Sequence, residues 1–340
     1  MRRAKAVFRG RPSMRDQGFL GWATGPLVKL DDAASGVLAR VLTAAPARRQ
    51  AIFAALAHWG PETEGTPLIA LAEVVRHGRP ADILRRALEV VPEGYTGLLE
   101  RIGEQPLASA NDYRLLRDLC ASPYTKAADA LRSCRRITNA TLRIAFALDR
   151  RWVHLNLLSR IDTLMEANDF NCAIDCIQSV STKATDEAVA EAIARMAPTT
   201  STARLLTRMM HRADRLPIHP IGDGDNELRP FTLMRDYVWA ARRYRNCLAD
   251  NLDRVASGAM AIAEFRDDCL VEFRPLTSGD DWVVWQVHGH RNRPVPCELA
   301  AEAVAACGRF GVPGIRNPAV NSEWRSYRRV SRILDLDWAA

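Results

Sequence analysis

The sequence predicts an α+β protein that is predominantly α: a helical array followed by a small domain with a three-stranded antiparallel sheet and flanking helices. Three observations carry this. Across 32–216, Ala, Leu and Arg dominate and apolar residues recur at intervals of three and four. A run rich in Pro, Gly and Asp, 217–228, interrupts the pattern. Beyond it, three short β-type runs lie between helical segments.

Taken in order, 1–31 reads as a basic, flexible arm, and 32–216 as an all-helical domain. Helix starts are visible at Ser109, at Ser122 followed by Pro123, and at Thr185, whose first turn holds Asp186 and Glu187. Breaks fall at Gly60-Pro61, at 77–80, at 92–94 and at Pro198. Short turns between helices suggest stacked pairs without a fixed-period repeat. After the linker at 217–228, the domain 229–340 starts with a long helix over 229–255, closed by Ser257-Gly258. Strands are expected at 259–265, 269–274 and 282–288, with hairpin-length connections. Alternation over the third strand sets Trp282, Val284, Gln286 and His288 on one face and Val283, Trp285 and Val287 on the other, apolar, face. A helix over 296–307 and an amphipathic helix from Ser322 complete the domain.

The chain of 340 residues is 48% hydrophobic and 26% charged, which excludes collagen-like, disordered and disulfide-miniprotein classes. Its 47 basic residues against 40 acidic give +7, and only Lys5, Lys29, Lys126 and Lys183 are lysines. The excess is uneven: 1–60 carries +7 and 121–160 carries +6, whereas 161–200 carries −5. A partner would meet patches of both signs. The eight cysteines contain no CxxC, so a zinc ribbon is not expected, and Cys172 and Cys176 are expected to be small buried apolar residues of a reducing cytosol. No run approaches the length of a membrane span, and the expected location is cytoplasmic.

Residues 246–297 carry a set of short motifs: Asn246-Cys247-Leu248 ending a helix, Ser257-Gly258 before a strand, the strand CLVEFRP, and Gln286-x-x-Gly289-x-x-Asn292 before a Pro-led helix. In order and spacing this resembles the C-terminal domain of PcfJ-like proteins of conjugative plasmids and other mobile elements. The family motif falls on Cys247, Gly258, Gln286, Gly289 and Asn292; Asn246 replaces the His common in the family. The resemblance implies an accessory role in plasmid transfer beside DNA, and brings no catalytic mechanism with it.

The residues themselves supply candidates. Arg235, Trp239 and Arg242 share one side of the predicted 229–255 helix, as backbone contact plus base stacking requires, or as an arginine lying on Trp239 would produce. Arg325, Arg328, Arg329 and Arg332 form a second stripe, suited to a phosphate backbone or an acidic protein surface. Arg291 and Arg293 flank the loop after the third strand. His288 and His290, with Cys297, are the candidate metal ligands, against a plain Gly-containing turn. Cys247 with His288 is the candidate hydrolase dyad. No nucleotide-binding, metalloprotease or nucleophile-elbow motif occurs, and the Gly- and Asp-rich 222–227 lacks the ligand order of a calcium loop. The reading is a non-enzymatic, nucleic-acid-associated accessory protein of a mobile element, without a cofactor. The alternatives are a protein-interaction scaffold and a Cys- or metal-dependent enzyme.

Overall fold

In a computed structural model, residues 20–59, 68–121, 126–276 and 281–314 are described. The chain divides into two units, one holding the chain up to Asp175 and Thr185–Leu205, the other Cys176–Ala184 and the chain from Leu206. The expected C-terminal helix with Arg325, Arg328, Arg329 and Arg332, the start at Ser122-Pro123 and most of the N-terminal arm lie outside the described residues. The arm's last residues are helical, since the first helix opens at Thr24.

The first unit is helical: α1 (Thr24–Ala33), α2 (Val37–Leu42), α3 (Pro46–His58), α4 (Leu68–His77), α5 (Pro80–Ala87), α6 (Tyr95–Glu100), α7 (Ala110–Ala121), α8 (Lys126–Ser133), α9 (Asn139–Ala147), α10 (Leu155–Leu158), α11 (Leu164–Val180), α12 (Asp186–Ala194) and α13 (Thr202–Met210). The last residues of α11 and α13 belong to the second unit. Pro46 opens α3 where a missing N–H costs nothing. Thr138 and Thr185 cap α9 and α12, accepting from Thr141 N and Ala188 N. Helix α3 is buried from Arg49 to Ala57 and packs against α5, α6 and α7. Its two buried polar residues are fully used. Arg49 donates to the carbonyls of Val41, Leu42 and Ala44. Gln50 donates to Gly103 and Gln105 and accepts the Tyr113 hydroxyl at 2.6 Å. Buried polar groups are tolerated when paired in this way.

The second unit has four strands, not three. β1 (Leu228–Pro230), β2 (Ala261–Phe265), β3 (Cys269–Pro275) and β4 (Trp282–His288) form an antiparallel sheet in that order. β1 was hidden in the Pro- and Gly-rich stretch. Asp225 folds a tight turn by accepting from Glu227 N and Leu228 N, which delivers three residues to the edge of β2.

The predicted helix over 229–255 is also broken. α14 (Met234–Tyr244) stops where Arg245 turns left-handed at φ 50, a 3-10 turn follows at Cys247–Asp250, and α15 (Leu252–Ala256) comes after it. Asn246 is the reason: its side chain accepts Leu248 N, the local capping bond that competes with helix continuation. On one face of the sheet, Ile262 and Leu270 pack with Met234, Tyr237, Tyr244, Leu248 and Val255. On the other, Ala263, Val271, Phe273 and Val284 pack with Ala303, Ala306 and Cys307 of α16 (Cys297–Gly308).

The alternation expected of the last strand fails at one place. Glu272 pairs with Gln286 but Phe273 pairs with Val284, so Trp285 is an extra residue, a β-bulge. Trp282, Val284 and Val287 therefore face α16, and Val283, Trp285, Gln286 and His288 share the α14 face.

Candidate nucleic-acid interface

Ten arginines of the sheet unit, on the strands and their loops, on α14 and its cap, in the turn after β4 and after α16, fall into two groups. Arg229 and Arg243 bind Glu264, Arg266 binds Glu227 and Glu302, Arg274 binds Glu272, and Arg309 binds Asp225 and Glu227. Arg235, Arg242, Arg245, Arg291 and Arg293 are exposed, with no acidic partner among the described residues.

Three of these unpaired arginines lie on α14 and its C-terminal cap, and two flank the turn His290–Asn292. That turn packs against α14. Asn292 Nδ2 donates to Cys247 Sγ at 3.5 Å, fixing the turn to the segment that follows α14. Arg291 and Asn292 are both left-handed, at φ 57 and 54, a conformation that non-glycine residues adopt only when surroundings hold it. Gly289 N donates to Arg293 O at 2.8 Å and closes the loop. The charge of Arg242 reaches His211, which is held below the usual histidine range by burial first and by Arg242 second. The cationic field here is thus not neutralised by a neighbouring carboxylate.

Trp239 is 44% exposed, but its ring is not free. Arg229 and Arg243 lie over it, with guanidinium carbons 5.3 and 5.0 Å from the ring centroid. Both are held by Glu264, which is only 1% exposed and also accepts the Tyr244 hydroxyl at 2.8 Å. Taking partners from a buried charge costs ~3–5 kcal/mol, whereas stacking one base returns ~1–3 kcal/mol. The stripe Arg235, Trp239, Arg242 is therefore a pair of available cations around an occupied aromatic. The arginines on Trp239 are not its helical neighbours Arg235 and Arg242.

The metal constellation does not assemble. β4 ends at His288, so strand alternation does not carry to His290, which sits exposed in the turn, and Cys297 is an exposed first residue of α16. Among the described residues no group of three His, Cys, Asp or Glu side chains is placed to hold a metal ion. The dyad does not form either. Cys247 is exposed and meets Asn292, not His288. His288 is 7% exposed, its Nδ1 has no hydrogen-bond partner, and burial lowers its pKa against the opposing pull of Glu272. Gly258, at φ 77, terminates the segment after α15. Gln286 is exposed beside Glu272.

Sequence reasoning missed Arg245 because it stood inside a helix that was expected to continue. It missed Arg229 and Arg243 as covers of Trp239 because their common anchor, Glu264, lies on another element. The chain matches no protein-family model, and no curated protein or solved structure is significantly similar to it.

Proposed function

We propose that the sheet unit binds nucleic acid through its phosphates, with Arg235, Arg242, Arg245, Arg291 and Arg293 as the contacts. The observation that carries this reading is the separation just described: these five are exposed without an acidic partner among the described residues, while five other arginines of the unit are ion-paired. Guanidiniums along α14, its cap and the turn packed against it repel one another and are relieved by a polyanion. Set beside the resemblance of 246–297 to PcfJ-like domains, the role is that of a non-enzymatic, cytoplasmic accessory protein of a mobile genetic element.

The test is a salt titration of binding to a labelled oligonucleotide, read by fluorescence anisotropy. Five phosphate contacts give a log–log slope of about −3.5 for a single strand and about −4.5 for a duplex. Arg242→Glu with Arg245→Glu, or Arg291→Glu with Arg293→Glu, reduces both affinity and slope without lowering the melting temperature. Binding that ignores salt, or charge reversals without effect, refutes the reading.

A protein-interaction role is the second reading, and it is supported by the helical unit. There Val90, Phe146 and Met165 are 73%, 60% and 72% exposed, apolar surface that a protein partner would cover. Light scattering on the purified chain tests for self-association.

A further inference from the structure

The sheet unit exposes two tryptophans among its described residues, and they differ in what holds their rings. Trp239 lies under two guanidiniums tied to a buried carboxylate. Trp285, 37% exposed, has a single cationic neighbour, Arg274, which is bound to Glu272 and covers one face of the ring at 4.5 Å from its centroid, so a stacked base would take the opposite face.

Trp285 is also the extra residue of the β4 bulge. Bulges re-aim side chains, and this one has a specific result. In regular alternation Trp285 would point away from Gln286 and His288; the bulge gathers all three on one face. The carboxamide of Gln286 is exposed and makes no hydrogen bond with another described residue, so both its donor and its acceptor are open. His288, beside it on the same face, is 93% buried by its 7% exposure and leaves Nδ1 unpartnered. The strand then runs ~10 Å from Trp285 to its end, where the turn carries Arg291 and Arg293.

We propose that the bulged segment of β4 receives an unpaired base: Trp285 stacks on its face and the Gln286 carboxamide bonds to its edge, while Arg291 and Arg293 hold the flanking phosphates. The partner is then single-stranded nucleic acid, because a base within a duplex offers no free face. An indole platform accepts any base, and a carboxamide can pair with a base edge through one donor and one acceptor. The proposal rests on the phosphate reading and adds base contact to it.

The experiment compares a labelled oligothymidylate, a labelled oligoadenylate and a duplex of the same length, each bound by the full chain at one salt concentration. Single strands are expected to bind about tenfold tighter than duplex. Trp285→Ala and Gln286→Ala each lower single-strand affinity while leaving duplex affinity and the salt slope unchanged; Trp239→Phe leaves all three. Should Trp285→Ala fail to fold, the exposed Gln286→Ala decides alone. Equal affinity for single strand and duplex, or single-strand binding indifferent to Gln286→Ala and Trp285→Ala, overturns the base contact and leaves the phosphate reading standing. Salt-independent or absent binding to all three probes overturns both.

Discussion

Acid should destabilise the sheet unit through one histidine, by an amount the structure allows to be worked out. His219 is 6% exposed and lies edge-on to Phe273, with ring centroids 5.3 Å apart. Its Nδ1 accepts Ile221 N at 3.3 Å, so the proton is on Nε2, which donates to Ile262 O at 3.0 Å. A second proton on Nδ1 would face an N–H group in a site that water does not reach. Burial accordingly pushes the pKa from 6.5 down to about 4, against the smaller opposing effect of the Ile262 hydrogen bond.

The folded value lies below the unfolded one, so the stability this group contributes is complete above pH 6.5 and is lost as pH falls toward 4. At ~1.4 kcal/mol for each pH unit, the loss across that window is about 3 kcal/mol. Urea unfolding of the full chain at neutral pH and near pH 4, for the native chain and for His219→Gln, measures it. Gln keeps a donor for Ile262 O but does not titrate, so the variant should lack about 3 kcal/mol of the acid-induced loss. His288, also lowered by burial, acts in the same direction in both proteins and cancels in the comparison. Equal acid sensitivity in the two proteins, or an NMR titration of His219 with its midpoint near 6.5, would refute the reasoning.

Two further outcomes follow from buried polar groups. Gln50→Leu removes three hydrogen bonds at once, to Gly103, Gln105 and Tyr113, and strands their partners; it should cost at least ~3 kcal/mol, read as a lower urea midpoint with an unchanged m-value. Glu264→Gln should cost less, ~2 kcal/mol, because Arg229 and Arg243 are partly exposed and can turn to water. In the same variant Arg229 is released while Arg243 keeps Asp267, so nucleic-acid binding should tighten and its salt slope steepen by up to about 1; unchanged or weaker binding counts against the phosphate reading.

Some of this was legible from residue types. Thr185 with Asp186 and Glu187 marks the start of α12, and Arg266, Asp267 and Asp268 separate two strands as a hairpin loop would. What stayed hidden depended on partners distant in sequence. Arg229 stands 35 positions from Glu264, and nothing local distinguishes it from Arg235, which has no acidic partner among the described residues. The bulge at Trp285 is defined only by what lies opposite it on β3, so the strand appeared to alternate regularly. The end of α14 turned on Asn246, whose preference for capping outweighed a helical run of good formers on both sides.

The helical unit uses its arginines differently. Arg48 donates to Val75 O and Arg76 O, Arg49 to three carbonyls at and just past the end of α2, Arg101 to Cys134 O, Arg114 to Ala57 O, and Arg160 to Ala197 O, Pro198 O and Thr200 O. The first four meet carbonyls at or just beyond a helix C-terminus, where backbone acceptors lack intrahelical donors, and Arg160 meets those of the connection between α12 and α13. An ammonium on a flexible stem would not span the same two or three oxygens. Arginine and lysine are one base change apart in the genetic code, so a shift in nucleotide composition would erode an arginine excess wherever geometry is indifferent. Descendants of this sequence should therefore lose arginine first from its solvated surfaces, and retain it longest at positions such as Arg48 and Arg49, where a single side chain binds the last carbonyls of a neighbouring helix.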